Sequence, residues 1–216
     1  MAGNYTVQQG DHLSKIAHAM GFSSYHTIWD HPNNAALKQQ RQNPNVLFPG
    51  DVLFIPDRET REESRPTDQK HKFQKKKPDL KLRLTLEDIY EKPIANASCV
   101  LMLGGDTRTV TTDGSGKIEQ DIKPDVHDAT LTIQDAQTPF QGSQIAIKIG
   151  DLDPVTEVSG QTARLNNLGY CAGAVDQPDA DAFESAVEEF QCDNNLTVDG
   201  ICGPQTQAKL KQAHGC

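Results

Sequence analysis

The chain is poor in what membrane proteins and most enzymes need. No apolar run approaches the ~18 residues of a bilayer span, and mean hydropathy is −0.60. Aromatic residues make up only 6% of the 216 positions. There is no Gly-x-Ser-x-Gly, no His-Glu-x-x-His and no phosphate-binding loop, which removes the commonest hydrolase and nucleotide signatures. No Cys-x-x-Cys occurs, so a zinc set of Cys171, Cys192, Cys202, His214 and Cys216 has poor spacing. Basic residues are in deficit, at 21 against 30 acidic ones for a net charge of −9, and nucleic acid is not the expected partner. Met1-Ala2-Gly3-Asn4 has neither a basic start nor an apolar core, so synthesis without a secretory leader is expected.

What is present is modular. A chain of this length suggests two or three small domains, each with a thin core. Tyr5-Thr6-Val7-Gln8-Gln9-Gly10-Asp11-His12-Leu13 runs into Ser14-Lys15-Ile16-Ala17. It reads as a short strand, a turn at Gly10 and a helix that Asp11 is placed to cap. Helical stretches are expected at Tyr25 to Trp29 and Asn34 to Arg41. A second turn, Pro49-Gly50-Asp51, precedes an alternating strand, Val52-Leu53-Phe54-Ile55. Residues 58–79 hold one apolar side chain, Phe73, and read as a charged tether of roughly 25 Å root-mean-square span. From Leu80 the period becomes two, and short strands recur to Ile149, as in a small antiparallel β-sandwich. Asp113-Gly114-Ser115-Gly116 reads as a tight turn rather than a calcium loop. Beyond residue 158 the pattern is helical. Asp179 to Cys192 carries Phe183, Ala186, Val187 and Phe190 on one face, and Gly203-Pro204 opens a last helix.

The first block resembles the LysM family over residues 5–56, through its Tyr-x-Val-x-x-Gly-Asp-x-Leu start and its Pro-Gly-Asp-Val-Leu-Phe-Ile-Pro end. The resemblance implies a βααβ fold that binds N-acetylglucosamine glycans, including peptidoglycan strands. Its groove is expected between Gly10-Asp11-His12-Leu13 and Asn45-Val46-Leu47-Phe48. The bland alternatives are that Leu13, Val46 and Leu47 are core and that Asp11 only caps a helix. The last block resembles the peptidoglycan-binding domain 1 family, a three-helix module. Arg164-Leu165-Asn166-Asn167-Leu168-Gly169-Tyr170, Ala186-Val187-Glu188-Glu189-Phe190-Gln191 and Leu196-Thr197-Val198-Asp199-Gly200-Ile201-Cys202-Gly203-Pro204-Gln205-Thr206 carry the likeness. Tyr170, Asp199 and Gly200 are its implied glycan contacts. An earlier copy of the Val-Asp-Gly loop is degraded to Val175-Asp176-Gln177-Pro178-Asp179.

These readings give a multidomain α+β chain: a LysM domain at 1–57, a linker at 58–79, a prealbumin-like or Ig-like β-sandwich at 80–150 and a helical module at 151–216. Four of the five cysteines lie from Cys171 onward. In an oxidising space Cys171–Cys216 and Cys192–Cys202 disulfides are expected, with Cys99 a buried thiol. The expected function is non-catalytic binding of peptidoglycan, with no cofactor and no metal, by a monomer that does not enter membranes. The insert Thr27 to Ala35, with Asn43 to Asp51, is similar to small LysM proteins found with contractile machines such as the type VI secretion system. That likeness implies export to a periplasm or a target wall, and a rival role as an adaptor or chaperone for spike or effector proteins.

Overall fold

A computed structural model describes residues 2–58, 64–72, 80–88 and 90–216. Phe73 and the lysines at 75–77, which the sequence places in the tether, lie outside the described residues. The described residues are mixed α and β, with six α-helices and small antiparallel sheets. It divides into two compact units: residues up to Asn45 with Pro49–Gly150, and Val46–Phe48 with Asp151–Cys216.

The first unit opens with β1 (Gly3–Thr6), α1 (Leu13–Ala19), α2 (His26–Trp29), α3 (Ala35–Arg41) and β2 (Val52–Ile55). β1 and β2 pair antiparallel, with Tyr5 opposite Leu53. Helix α1 stops at Met20 because Gly21 turns left-handed at φ +77°. The alternation of β2 sends Leu53 and Ile55 inward. They join the buried Val7, Leu13, Ile16, Ala17, Ile28 and Trp29. Two polar ties hold the helices to β2. Buried Asn34 donates from Nδ2 to the Ile28 and Phe54 carbonyls, both at 2.8 Å, and accepts from Phe54 N–H at 2.8 Å. Arg41 clamps Asp51 in a bidentate pair at 2.8 and 2.7 Å, both side chains 8% exposed. Such shielded fork-to-carboxylate pairs are stronger than surface ion pairs.

The same unit continues with β3 (Lys81–Thr85), β4 (Ser98–Leu103), β5 (Asp106–Thr111), β6 (Lys117–Asp121), β7 (Asp128–Ile133) and β8 (Gln144–Lys148). β3 pairs with β6, and a second sheet has the order β5-β4-β7-β8. Leu86, Ile118 and Ile122 share one buried cluster with Cys99, Leu101, Leu103, Val110, Ala129, Leu131 and Ile133, so both sheets face a common core. Cross-strand pairs such as Leu101 with Leu131 fix the register, because a one-residue slip would turn every apolar side chain outward. Asp113 Oδ1 accepts from Ser115 and Lys117 N–H at 2.7 and 2.9 Å. Those two bonds hold its carboxyl below the usual range. The acid works as turn chemistry.

The second unit carries α4 (Val158–Asn167), α5 (Ala180–Asp193) and α6 (Pro204–His214) around Leu165, Ala172, Ala186, Val187, Phe190 and Leu210. Asp179 caps α5, its Oδ1 accepting from Asp181 and Ala182 N–H at 3.1 Å. Gly203 precedes Pro204 at the start of α6, where a missing N–H is harmless. Arg164 is 1% exposed and gathers backbone: Nε donates to the Cys216 carbonyl at 2.9 Å, and Nη1 to Asp153 and Gly160 at 2.8 and 2.7 Å. This one side chain ties the chain's last residue to the entry of α4.

The disulfides expected from the sequence are not formed: all five cysteines are free thiols. Cys171 and Cys192 are exposed, whereas Cys202 and Cys216 are half-buried, so each expected pair would join a surface thiol to one already packed. Cys216 Sγ lies 3.2 Å from His214 Nδ1. Burial pushes the Cys202 thiol up to about 11. Cys99 is buried as expected, and burial, then Asp135, raises its pKa.

Candidate functional site

The first site built from the sequence is the pair of LysM loops. Leu13 N–H donates to the Pro44 carbonyl at 3.0 Å, one residue before Asn45. Neither loop is an open shelf. Asp11, His12 and Leu13 are 6%, 2% and 0% exposed, and Val46 and Leu47 are 7% and 4%. Asn45 is exposed, and Gly10 and Phe48 are half-buried.

Asp11 does not cap α1. Its Oδ2 accepts from Tyr5 Oη at 2.6 Å and Gln8 N–H at 3.0 Å, and Lys15 Nζ sits 2.9 Å from Oδ1. Burial works against its charge, but those bonds outweigh it and hold the carboxyl below its ordinary pKa. Burial, then Asp11, pushes the Tyr5 hydroxyl up to about 12. The cap is His12, whose Nδ1 accepts from Lys15 N–H at 3.4 Å. A ring nitrogen one residue later does what the carboxylate was expected to do, because Asp11 is already committed to Tyr5 and Lys15. Burial, then Lys15 and His127, lowers the His12 pKa to about 4. Its Nε2 is buried and without a hydrogen-bond partner.

The other histidines of this region do not gather. His26 pairs with Asp30 at 2.9 Å, and His31 packs on Phe54 with ring centroids 4.7 Å apart. Among the described residues no group of three metal-ligating side chains assembles, and no helix is long and apolar enough to cross a membrane.

The second unit does present an open surface. A cleft of about 470 Å³ is lined by Val158, Thr162, Ala172, Pro178, Asp179, Ala180, Phe183, Glu184, Gly200 and Ile201. Val158 and Ile201 are 51% and 66% exposed, so water covers apolar surface at its rim. Of the three contacts expected from the sequence, only Gly200 lines it. Tyr170 packs edge-on against Phe190, centroids 5.5 Å apart, and its hydroxyl lies 3.1 Å from Asp193 Oδ2. Asp199 is turn chemistry: Oδ1 accepts from Ile201 N–H at 2.9 Å and from Gln191 Nε2 at 2.8 Å, and its pKa falls for the same two reasons. Gly200 sits at φ +68°, and a Cβ there would meet Glu184 Cγ at 2.8 Å. The degraded loop still contributes Pro178 and Asp179 to the wall. Gln177, which stands at the glycine position of that loop, is not in the left-handed region.

Sequence reading missed Val158, Thr162, Phe183, Glu184 and Ile201. Phe183 and Val158 have the spacing of core residues, and only a folded chain shows that Ile201 faces water. The one available signal was an apolar residue directly after Asp199-Gly200, where a solvated turn would favour a polar one.

The chain combines a βααβ unit with a three-helix module that has an open cleft. The LysM domain family matches residues 5–30, and the family described as "Putative peptidoglycan binding domain" matches residues 158–210. The chain thus carries one module of each family, and both are binding modules rather than catalytic ones. No curated protein and no solved structure matches.

Proposed function

We propose that this chain is a non-catalytic peptidoglycan-binding protein whose open contact surface is the cleft of the C-terminal module. The observation that carries the reading is the cleft itself, on a module of a peptidoglycan-binding family. Sugar rings and stem peptides both offer apolar faces beside amide groups, and a site for them needs an apolar shelf with polar groups near by. Val158, Phe183 and Ile201 supply the shelf. Thr162, Asp179, Glu184 and the Gly200 backbone supply the polar edge. The LysM module is the second wall-binding element, and two weak sites on one polymer would gain ~10² to 10⁴ in avidity. Within this reading residues 1–57, 80–150 and 151–216 are three functional modules, and 58–79 is the linker between the first two. Delivery by a contractile secretion machine is the route that the LysM insert's likeness supports.

Co-sedimentation with purified peptidoglycan sacculi tests the reading. Wild type is expected in the pellet, and Ile201→Asp, a substitution of an exposed side chain, in the supernatant with its fold intact. Equal retention of both proteins counts against the cleft. No retention of either counts against peptidoglycan binding.

One observation favours a second reading, an adaptor for spike or effector proteins. The Gly10–Leu13 loop meets protein, at Gly150, rather than solvent. Retention of a secretion-system protein on immobilised chain, with none on sacculi, would support it.

A further inference from the structure

The carbonyl of Gly10 and the ring of His12 lie against Gly150. A Cβ at Gly150 would sit 2.9 Å from the Gly10 oxygen and 3.1 Å from His12 Cδ2, so the approach is closed to any side chain. The φ of Gly150, +91°, is one that non-glycine residues rarely adopt. The Pro124 carbonyl and His127 face the same imidazole from the loop between β6 and β7. That surface is a held structure: Ile149 N–H donates to the His127 carbonyl at 2.8 Å, and Val126 N–H to Lys123 at 3.2 Å. The buried Nε2 of His12 has no hydrogen-bond partner.

We propose that the contact of Gly10–His12 with Gly150 and the Pro124–His127 loop is an intramolecular latch that closes the first glycan-facing loop of the LysM module. The inference rests on the reading that this loop borders the glycan groove, and it adds how access to the groove is controlled. While latched, the module presents protein where a sugar strand would lie. Opening exposes the Gly10 carbonyl, the Asp11 turn and the His12 ring together.

The latch is built to respond to protons. The groups facing His12 are Asp11 from its own turn, Lys15 from α1, and His127 with the Pro124 carbonyl from the β6–β7 loop. Lys15 is cationic and opposes a charged ring alongside burial, and Asp11 is anionic. The closed state therefore takes the neutral imidazole. With a ring that titrates at about 4 when closed and at its ordinary 6.5 when open, closure weakens about 30-fold between pH 8 and pH 5.

The test uses the full chain and chitohexaose as the probe. The His12 ring is titrated by NMR, and chitohexaose binding is measured by calorimetry, for wild type and Gly150→Ala. In wild type the ring is expected to titrate near 4, and in the variant nearer 6, with at least tenfold tighter sugar binding at pH 7.5. If Gly150→Ala does not fold, wild type alone answers: its sugar affinity should rise at least tenfold between pH 7.5 and pH 5. Equal, measurable binding by wild type and variant at both pH values overturns the latch and leaves the glycan groove standing. A freed ring with no sugar binding in either protein overturns the groove reading and the latch with it.

Discussion

Gln191 grips the backbone of Gly200: its Oε1 accepts from Gly200 N–H at 3.1 Å and from Asp199 N–H at 2.9 Å. Its Nε2 reaches Asp199 Oδ1, the Ile201 carbonyl and Thr206 Oγ1 at 2.8, 3.0 and 3.0 Å. The side chain is 1% exposed. One amide thus links α5, the Asp199–Ile201 turn and the first turns of α6, and it positions two walls of the cleft.

Gln191→Leu keeps the volume but leaves the Asp199 and Gly200 N–H groups without this acceptor and takes one donor from Asp199 Oδ1, the Ile201 carbonyl and Thr206 Oγ1. It should destabilise the helical module by about 2–4 kcal/mol in urea unfolding followed by circular dichroism. Peptidoglycan retention should fall with it, even where the module is still folded, because Gly200 and Ile201 lose their anchor.

Arg164→Met should cost about as much, roughly 2–4 kcal/mol, by leaving the Cys216, Asp153 and Gly160 carbonyls without their donor. Truncating only the last residue removes one of the three bonds, and a smaller loss, about 1 kcal/mol, is expected in the same assay.

Acid should weaken the first unit through His12. Its pKa is lowered in the folded chain, so the neutral ring is the folded form. The stabilisation is full above the ordinary 6.5 and is lost as pH falls toward about 4, a loss of about 3 kcal/mol in all. His214 acts in the same direction, since burial, then Arg164, also lowers it to about 4. His12→Gln should flatten the pH dependence of the first unit's unfolding and leave that of the second unit unchanged.

Thiol chemistry separates the cysteines. In denaturant all five should react with a thiol reagent. In the native state at pH 8, Cys171 and Cys192 should react in the first phase. Cys99 should react only on unfolding, and Cys202 should be slow because its thiolate is disfavoured. Fewer than five thiols in denaturant after oxidising expression would show that bridges form after all.

The fold was legible where local chemistry decides it. Gly21 and Asp179 end and begin helices as short-range rules require, and the period-two run from Leu80 gives strands with their cores facing in. The site was legible only in part. Asp11 reads as a cap because residues 11–15 alone offer it that role, but Tyr5 and Lys15 claim it. The burial of His12 depends on Gly150 and the Pro124–His127 loop, which sequence distance hides. Tyr170 and Asp199 mark the module's core and turn rather than its open face. Val158 and Ile201, which do mark that face, have the composition of core residues.

The most direct measurement is a titration of ¹⁵N-labelled full chain with a soluble disaccharide-peptide fragment of peptidoglycan. Binding in the C-terminal cleft predicts saturable shifts of the Ala172, Phe183, Gly200 and Ile201 amides, with Ile201→Asp abolishing them. Shifts absent from these amides at saturating fragment would contradict it.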